Sequence, residues 1–366
     1  MDAEAMVEQR MLFTDRQFGR RALPVIGERA DVRYYGREAK SVLNNPESTG
    51  MGFWSINPYI GCAFGCTYCY ARFTHRYATE RELSALDPDS GRALRDELTE
   101  LPAWLAFERR IFVKRNAAEV LRSALRPGGS RLAALTGGDT LVIGTATDPY
   151  QPAERSFRVT RGLLEVVAAH RNLRLVIITK SALVARDADL LARITRRSRV
   201  TVHFSLITLD RDLARRLEPR APTPESRLRA ITRLADAGVD VGINIMPVLP
   251  GITDQPAALS ALVRRVADAG ASHVNAGALR LQAAARNRFL PFLREAYPEL
   301  VSRYEATYAG HASAGERYRA GLKAFFQREC RRAGIRCGRS DDESERPARI
   351  EAPPQMEFTL DCRRVE

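Results

Sequence analysis

The sequence predicts an α/β protein built as a partial (β/α)6 barrel of the TIM type, and three observations carry that expectation. Short β-branched runs recur from about residue 53 onward, and they alternate with amphipathic stretches at helical period. Runs such as LVIGTAT, LVIITK and VGINIM are nearly continuous in apolar residues, as parallel strands covered on both faces must be. The β-then-α rhythm repeats along one stretch of chain, which favours parallel strands joined by helical crossovers. A doubly wound sheet shares this rhythm and stays open as the alternative. No GxGxxG opens a helix after the first strand, which weakens a dinucleotide-binding reading.

Strands are expected at 53–59, 110–114, 140–147, 174–180, 200–208, 239–247 and 273–281. Helices are expected at 117–125, 157–170, 183–196, 225–237 and 257–269. In the fourth of these, Leu228, Ile231, Leu234 and Ala235 form one apolar stripe suited to a sheet surface. Gly238 and Gly270 supply helix stops just before the strands that follow. Residues 1–50 are polar and basic with isolated apolar pieces, and read as an N-terminal extension. The core spans 51–282. Residues 283–366 turn helical (289–300 and 315–332) and end in a charged tail beginning near 339.

The 366 residues are long enough for a sizeable core, and 45% apolar with 28% charged residues is ordinary globular composition. No run reaches the roughly 18 apolar residues of a membrane span. The acidic, interrupted N-terminus lacks the pattern of a signal peptide. A soluble, cytoplasmic protein with no membrane partner is expected; oligomeric state is not legible. The formal charge is +13, carried by 53 arginines and four lysines. DNA or another polyanion is therefore a candidate partner. Against it, the arginines are spread along the chain and interleaved with acids, as solvated helix faces are.

Chemistry concentrates in NPYIGCAFGCTYCYAR, residues 57–72. Cys62, Cys66 and Cys69 lie too close together for internal disulfides of good geometry, and they point to a metal centre. Thiolates at i, i+4 and i+7 can take three corners of an iron–sulfur cubane and leave one iron open. Zinc is the competing reading, with His75 as a fourth ligand. Cys330, Cys337 and Cys362 are widely spaced and read as incidental thiols. On a barrel, active groups sit at the C-terminal ends of strands. That places Thr145–Asp148, Lys180, Ser181, Ser205, Thr208, Asn244 and Met246 near one another. Asp148 competes between a ligand-binding role and a helix N-cap, His75 between a core histidine and a proton shuttle. Glu218 is placed to pair with Arg220 or a barrel arginine such as Arg280.

The CxxxCxxC spacing resembles that of the radical S-adenosylmethionine enzymes. The wider words GTATDPYQPAE, ITKS, ARDADLL, SLITLD, LEPRAPTPESRL and MPVLPGITD are similar to the spore photoproduct lyase-like branch. The resemblance implies a [4Fe–4S] cluster on Cys62, Cys66 and Cys69, with S-adenosylmethionine chelating the open iron. It implies a 5′-deoxyadenosyl radical that abstracts hydrogen, and a flavodoxin- or ferredoxin-type electron donor. Thr147, Asp148, Lys180, Ser205 and Met246 are the cofactor-binding candidates it suggests; Tyr68 and Tyr70 are candidates for cofactor placement and hydrogen-atom relay. The lyase's cysteine hydrogen-atom donor falls at Thr145, whose O–H bond is too strong for that work. A nucleic-acid-binding protein with a purely structural metal site is the reading from another class.

Overall fold

The computed structural model describes residues 25–29, 31–84, 92–281 and 283–338. The far N-terminus, Cys362 and the charged tail expected from 339 lie outside them. In chain order the strands are β1 (Val25–Arg29), β2 (Val32–Arg37), β3 (Leu43–Asn44), β4 (Trp54–Ile56), β5 (Tyr59–Ile60) and β6 (Arg110–Lys114). They continue as β7 (Thr140–Ile143), β8 (Arg174–Thr179), β9 (Arg199–Ser205), β10 (Asp240–Val248), β11 (His273–Ala278) and β12 (Arg336–Cys337).

The main sheet runs β12-β11-β10-β9-β8-β7-β4-β3, and every pair except β3–β4 is parallel. Six strands, β4 and β7 to β11, follow one another in unbroken chain order. A doubly wound sheet reverses its order at a switch point; this one never does, so the barrel-type reading holds, with an open sheet. β8 shows why the runs had to be apolar on both faces. Leu175 and Ile177 are fully buried in the main core, while Val176 and Ile178 line a cavity on the other side.

One expected core strand lies elsewhere. β6 joins β2, β1 and β5 in a separate four-stranded sheet. Periodicity reports a strand without reporting its partners, and β6 is claimed by β2 before the crossover helices begin. The stretch 53–59 also divides. β4 ends at Ile56, Asn57 turns to hold residues 145 and 146, and Tyr59–Ile60 pairs antiparallel with β6. Residues 140–147 make a strand only as far as Ile143. Gly144 has φ +98, and a side chain there would lie 2.5 Å from the Ile178 carbonyl, so the backbone leaves the sheet at the one residue able to do so.

The crossover helices include Ala117–Ala124, Val159–Val167, Ala188–Thr195, Pro224–Asp236 and Pro256–Asp268. Gly238 (φ +76) and Gly270 (φ +93) end the last two as expected. Beyond β11 come Ala283–Ala296, Val301–Thr307 and Glu316–Arg332, the last packed along β11 and β12. Among the described residues no helix is long and apolar enough to cross a membrane.

Candidate functional site

The loop after β5 carries the three cysteines, and its path is dictated by two glycines. At Gly61 (φ +83) a Cβ would meet the Phe107 carbonyl at 2.7 Å; at Gly65 (φ +66) it would meet the Arg220 guanidinium at 2.9 Å. The loop therefore lies directly on the chain around residues 107 and 220. Cys62 N–H donates to the Phe107 carbonyl at 2.8 Å, Thr67 N–H to Leu217 at 2.9 Å and Arg220 N–H to Phe64 at 3.2 Å. Arg72, wholly buried, donates to the Cys66 carbonyl at 2.8 Å, the Trp104 carbonyl at 2.6 Å and the Glu108 carboxylate at 2.5 Å. A buried guanidinium is tolerated only with such partners.

The three sulfurs are free thiols that sense one another electrostatically. Burial pushes Cys62 up to about 12, Cys66 well above its ordinary value, and Cys69 upward as well. Thiols so placed become thiolates through a bound metal's positive charge. Peptide N–H groups already point at them, from Phe64 and Asp148 to Cys62 and from Ala71 to Cys69. Such N–H···S bonds are a known means of tuning iron–sulfur clusters. Among the described residues no three His, Cys, Asp or Glu groups gather closely enough for a single metal ion. A cubane asks for one thiolate per iron, set apart, and this donor set fits that demand.

His75 is a core histidine. Its Nε2 lies 2.8 Å from the Arg110 carbonyl and its Nδ1 3.1 Å from the Thr79 hydroxyl, so neither nitrogen is turned to the cysteines. Burial lowers it to about 4.

Beside the thiols lies a buried polar network centred on Glu218. Its carboxylate accepts from the Tyr68 hydroxyl, pairs with Arg227, and sits 3.4 Å from Lys180 Nζ. Arg220 and Arg280 are not its partners: Arg220 pairs with Asp31 and Glu108 instead. Burial raises the Glu218 carboxyl, but Arg227 and Lys180 outweigh it and hold the group at about 2. Burial lowers the Lys180 ammonium, while Glu218 and Cys66 more than restore it. Lys180 also stands 5.4 Å from the centre of the Tyr68 ring. Arg227 further donates to the Ser205 carbonyl at 2.9 Å, tying the end of β9 into the network.

The other expected residues fall close by. The Thr147 hydroxyl donates to the Gly61 carbonyl at 2.5 Å and accepts from Gln151, whose amide also clasps Ala63 N–H. Asp148 accepts from Lys180 N–H and the Thr179 hydroxyl, each at 2.7 Å, and from Tyr150 N–H at 2.9 Å. It bridges the ends of β7 and β8; the N-cap of the next helix is Pro152. Tyr70 is 53% exposed and its hydroxyl donates to the Thr145 carbonyl; Asn57 donates to the Thr145 side chain at 3.1 Å.

Met246 lies farther round, on a cavity of about 650 Å³ between the inner face of the sheet and the helix Glu316–Arg332. Its polar lining includes His203, Asn244, Asn275, Arg319, Lys323 and Gln327. Ser205 points to the same side as His203 by the two-residue strand period. His203 Nε2 approaches His273 Nε2 to 3.0 Å across Gly242, where a Cβ would clash with both rings. Sequence reading missed Arg72, Arg227 and the histidine pair; only register across three strands brings His203, Gly242 and His273 into line.

An open parallel (β/α)6 sheet with three cubane-spaced thiols at its mouth defines a class of iron–sulfur enzymes. The sequence profile of the Radical SAM superfamily matches residues 56–262, and the chain belongs to that superfamily. Membership implies a [4Fe–4S] cluster and S-adenosylmethionine. An uncharacterized protein of Mycobacterium tuberculosis is 36% identical over 74% of this chain and 72% of its own length. Another, of Methanocaldococcus jannaschii, is 26% identical over 59% of this chain and 68% of its own. Among solved structures, spore photoproduct lyase complexed with dinucleoside spore photoproduct superposes with a TM-score of 0.57. It covers 83% of this chain and 81% of the lyase at 14% identity. A lyase mutant with bound AdoMet and the same dinucleoside gives 0.54 over 78% and 75%, at 15% identity. The shared fold is that of the lyase.

Proposed function

We propose that this chain is a radical enzyme that cleaves S-adenosylmethionine reductively and abstracts a hydrogen atom from a substrate held in the 650 Å³ cavity. The observation that carries it is the set of three thiols, free of disulfides, Cys62 and Cys66 buried and Cys69 half-buried, each beside peptide N–H donors or cations. Cys62, Cys66 and Cys69 hold the cluster. Bound together, cluster and S-adenosylmethionine supply a 5′-deoxyadenosyl radical when an electron arrives from a flavodoxin- or ferredoxin-type donor. Lys180 and Ser205 meet the polar head and ribose of the cofactor, Thr147 and Asp148 shape the loop beneath it, and Met246 borders the substrate side. Tyr68 keeps Lys180 and Glu218 in register, and Tyr70 covers the loop from outside.

The solved lyase binds a dinucleoside photoproduct. For this chain a DNA substrate is one proposal, supported by its +13 charge. Thr145 supplies no thiol, so direct reversal of that photoproduct by a cysteine donor is not expected here. Anaerobic reconstitution tests the reading. About four irons and four sulfides per chain are expected, with an EPR signal altered by S-adenosylmethionine and 5′-deoxyadenosine formed under dithionite. A colourless protein with one zinc would replace it with a structural metal site on a nucleic-acid-binding chain.

A further inference from the structure

Two thiols take no part in the chemistry above. Cys330 lies near the end of the helix Glu316–Arg332, and Cys337 stands in β12. The helix closes on a left-handed Gly334 (φ +70), and Ile335 N–H returns to the Cys330 carbonyl at 3.1 Å. The chain then enters the sheet with Cys337 opposite Val274. This reversal brings the two thiols within electrostatic reach of one another, with neither in a disulfide. Their surroundings differ. Cys330 is fully buried in the main core, whereas Cys337 is exposed and lines the cavity beside Asn275, Lys323 and Gln327.

We propose that Cys330 and Cys337 form a redox-active dithiol on the cavity wall, oxidised by small-molecule disulfides. Exchange needs one thiol open to the reagent and a second able to reach the first. The exposed Cys337 and the buried Cys330 sit on β12 and the helix that packs against it, joined by the short turn at Gly334. Cys337, having released its proton to solvent, attacks one sulfur of a disulfide RSSR. A Cys337–SR bond forms, the RS–SR bond breaks, and RS⁻ leaves. Cys330 then loses its proton and attacks the Cys337 sulfur, expelling the second RS⁻. In sum one RSSR and two cysteine thiols become one protein disulfide and two RSH, the released protons ending on the two RS⁻. Burial and the neighbouring sulfur push the Cys330 thiol up to about 12, which leaves the first attack to Cys337. Oxidation removes a thiol from the cavity lining and ties the helix end to β12 next to Lys323 and Gln327. The redox state of surrounding thiols thereby reaches the cavity wall. The pair stands on its own geometry, independent of any radical chemistry.

The experiment treats the reconstituted full-length protein with glutathione disulfide under anaerobic conditions, quenches in acid, alkylates and maps peptides by mass spectrometry. A crosslink between the Cys330 and Cys337 peptides, two hydrogens lighter and with no glutathione retained, is expected. Cys330→Ala should stop the reaction halfway and leave a stable glutathione adduct on Cys337. Cys337→Ser should leave Cys330 unlabelled in the folded protein, a check that holds if the first variant folds poorly. A glutathione adduct persisting on Cys337 of the unaltered chain would overturn the proposal, as would a crosslink from Cys337 to Cys362 or a cluster cysteine. So would a protein in which neither thiol reacts.

Discussion

The cysteine loop, which leaves the small sheet after β5, and the cavity on the main sheet are furnished in opposite ways. Around the loop, charged side chains are buried and paired: Arg72 with Glu108, and Arg227 and Lys180 with Glu218. Around the cavity, Arg319 and Lys323 are exposed and make no ion pair among the described residues, and Met246 is 38% exposed. The loop is built to one geometry, as a cofactor requires. The cavity, apolar along Val142, Val176 and Ile178 with polar groups such as His203 and Asn244 among them, is open and lightly constrained, as a site awaiting a separate molecule is. Variants in the two regions should therefore fail differently.

The sharpest break comes at the thiols. Cys66→Ala should remove nearly all reconstituted iron and all 5′-deoxyadenosine, leaving the far-UV circular dichroism of the metal-free chain unchanged. Retention of iron near the unaltered level would contradict the ligand assignment. Next in size is Glu218→Ala, which strands the buried Arg227 and the half-buried Lys180 and should cost about 3–5 kcal/mol in denaturant unfolding of the metal-free protein. Glu218→Gln, which keeps an acceptor for Tyr68, should cost less. Equal losses would mean that shape, not charge, holds the network.

His75 tests the rigid region by pH. Its folded value is near 4 against an ordinary 6.5, so the unfolded chain binds the extra proton first. Stability is full above about pH 6.5 and falls as pH drops toward 4, by on the order of 3 kcal/mol at the lower end. His75→Gln should flatten that part of the curve. An unchanged slope between pH 6.5 and 4 would place the pH dependence elsewhere.

What the sequence made legible follows the same division. The ligand triplet is local: three cysteines within eight residues announce a metal without any tertiary information. The parallel sheet was legible because burial on both faces forces continuous apolar runs, as in β8. The partnership of Glu218 was not legible, since Arg227 reaches it from a separate helix and Arg220, nearer in sequence, is drawn off by Asp31 and Glu108. β6 was recognised as a strand but not as part of a second sheet, because pairing is decided by chain segments far away. Cys330 and Cys337 looked incidental until the turn at Gly334 set them side by side.

Lys180 stands in the network beside the thiols, and its removal should separate cofactor binding from folding. Lys180→Ala leaves Glu218 paired with Arg227, so iron content should hold. Affinity for S-adenosylmethionine should drop by roughly ten- to a hundred-fold, the worth of one charge-assisted hydrogen bond. Isothermal titration of the reconstituted protein checks this; full affinity would remove Lys180 from the cofactor site.

The smallest effect on stability belongs to the cavity mouth. Arg319 and Lys323 are one helical turn apart on an exposed face, so Arg319→Ala with Lys323→Ala should shift unfolding by less than about 0.5 kcal/mol. Their influence should instead appear with polyanions. Each cation that neutralises a phosphate releases counterions, so binding of single-stranded DNA should be weak and fall steeply with salt. The double variant should flatten the plot of log affinity against log salt by about one unit per lost contact. An unchanged slope with unchanged affinity would mean that DNA, if bound, lies on another arginine-rich face and does not pass this mouth.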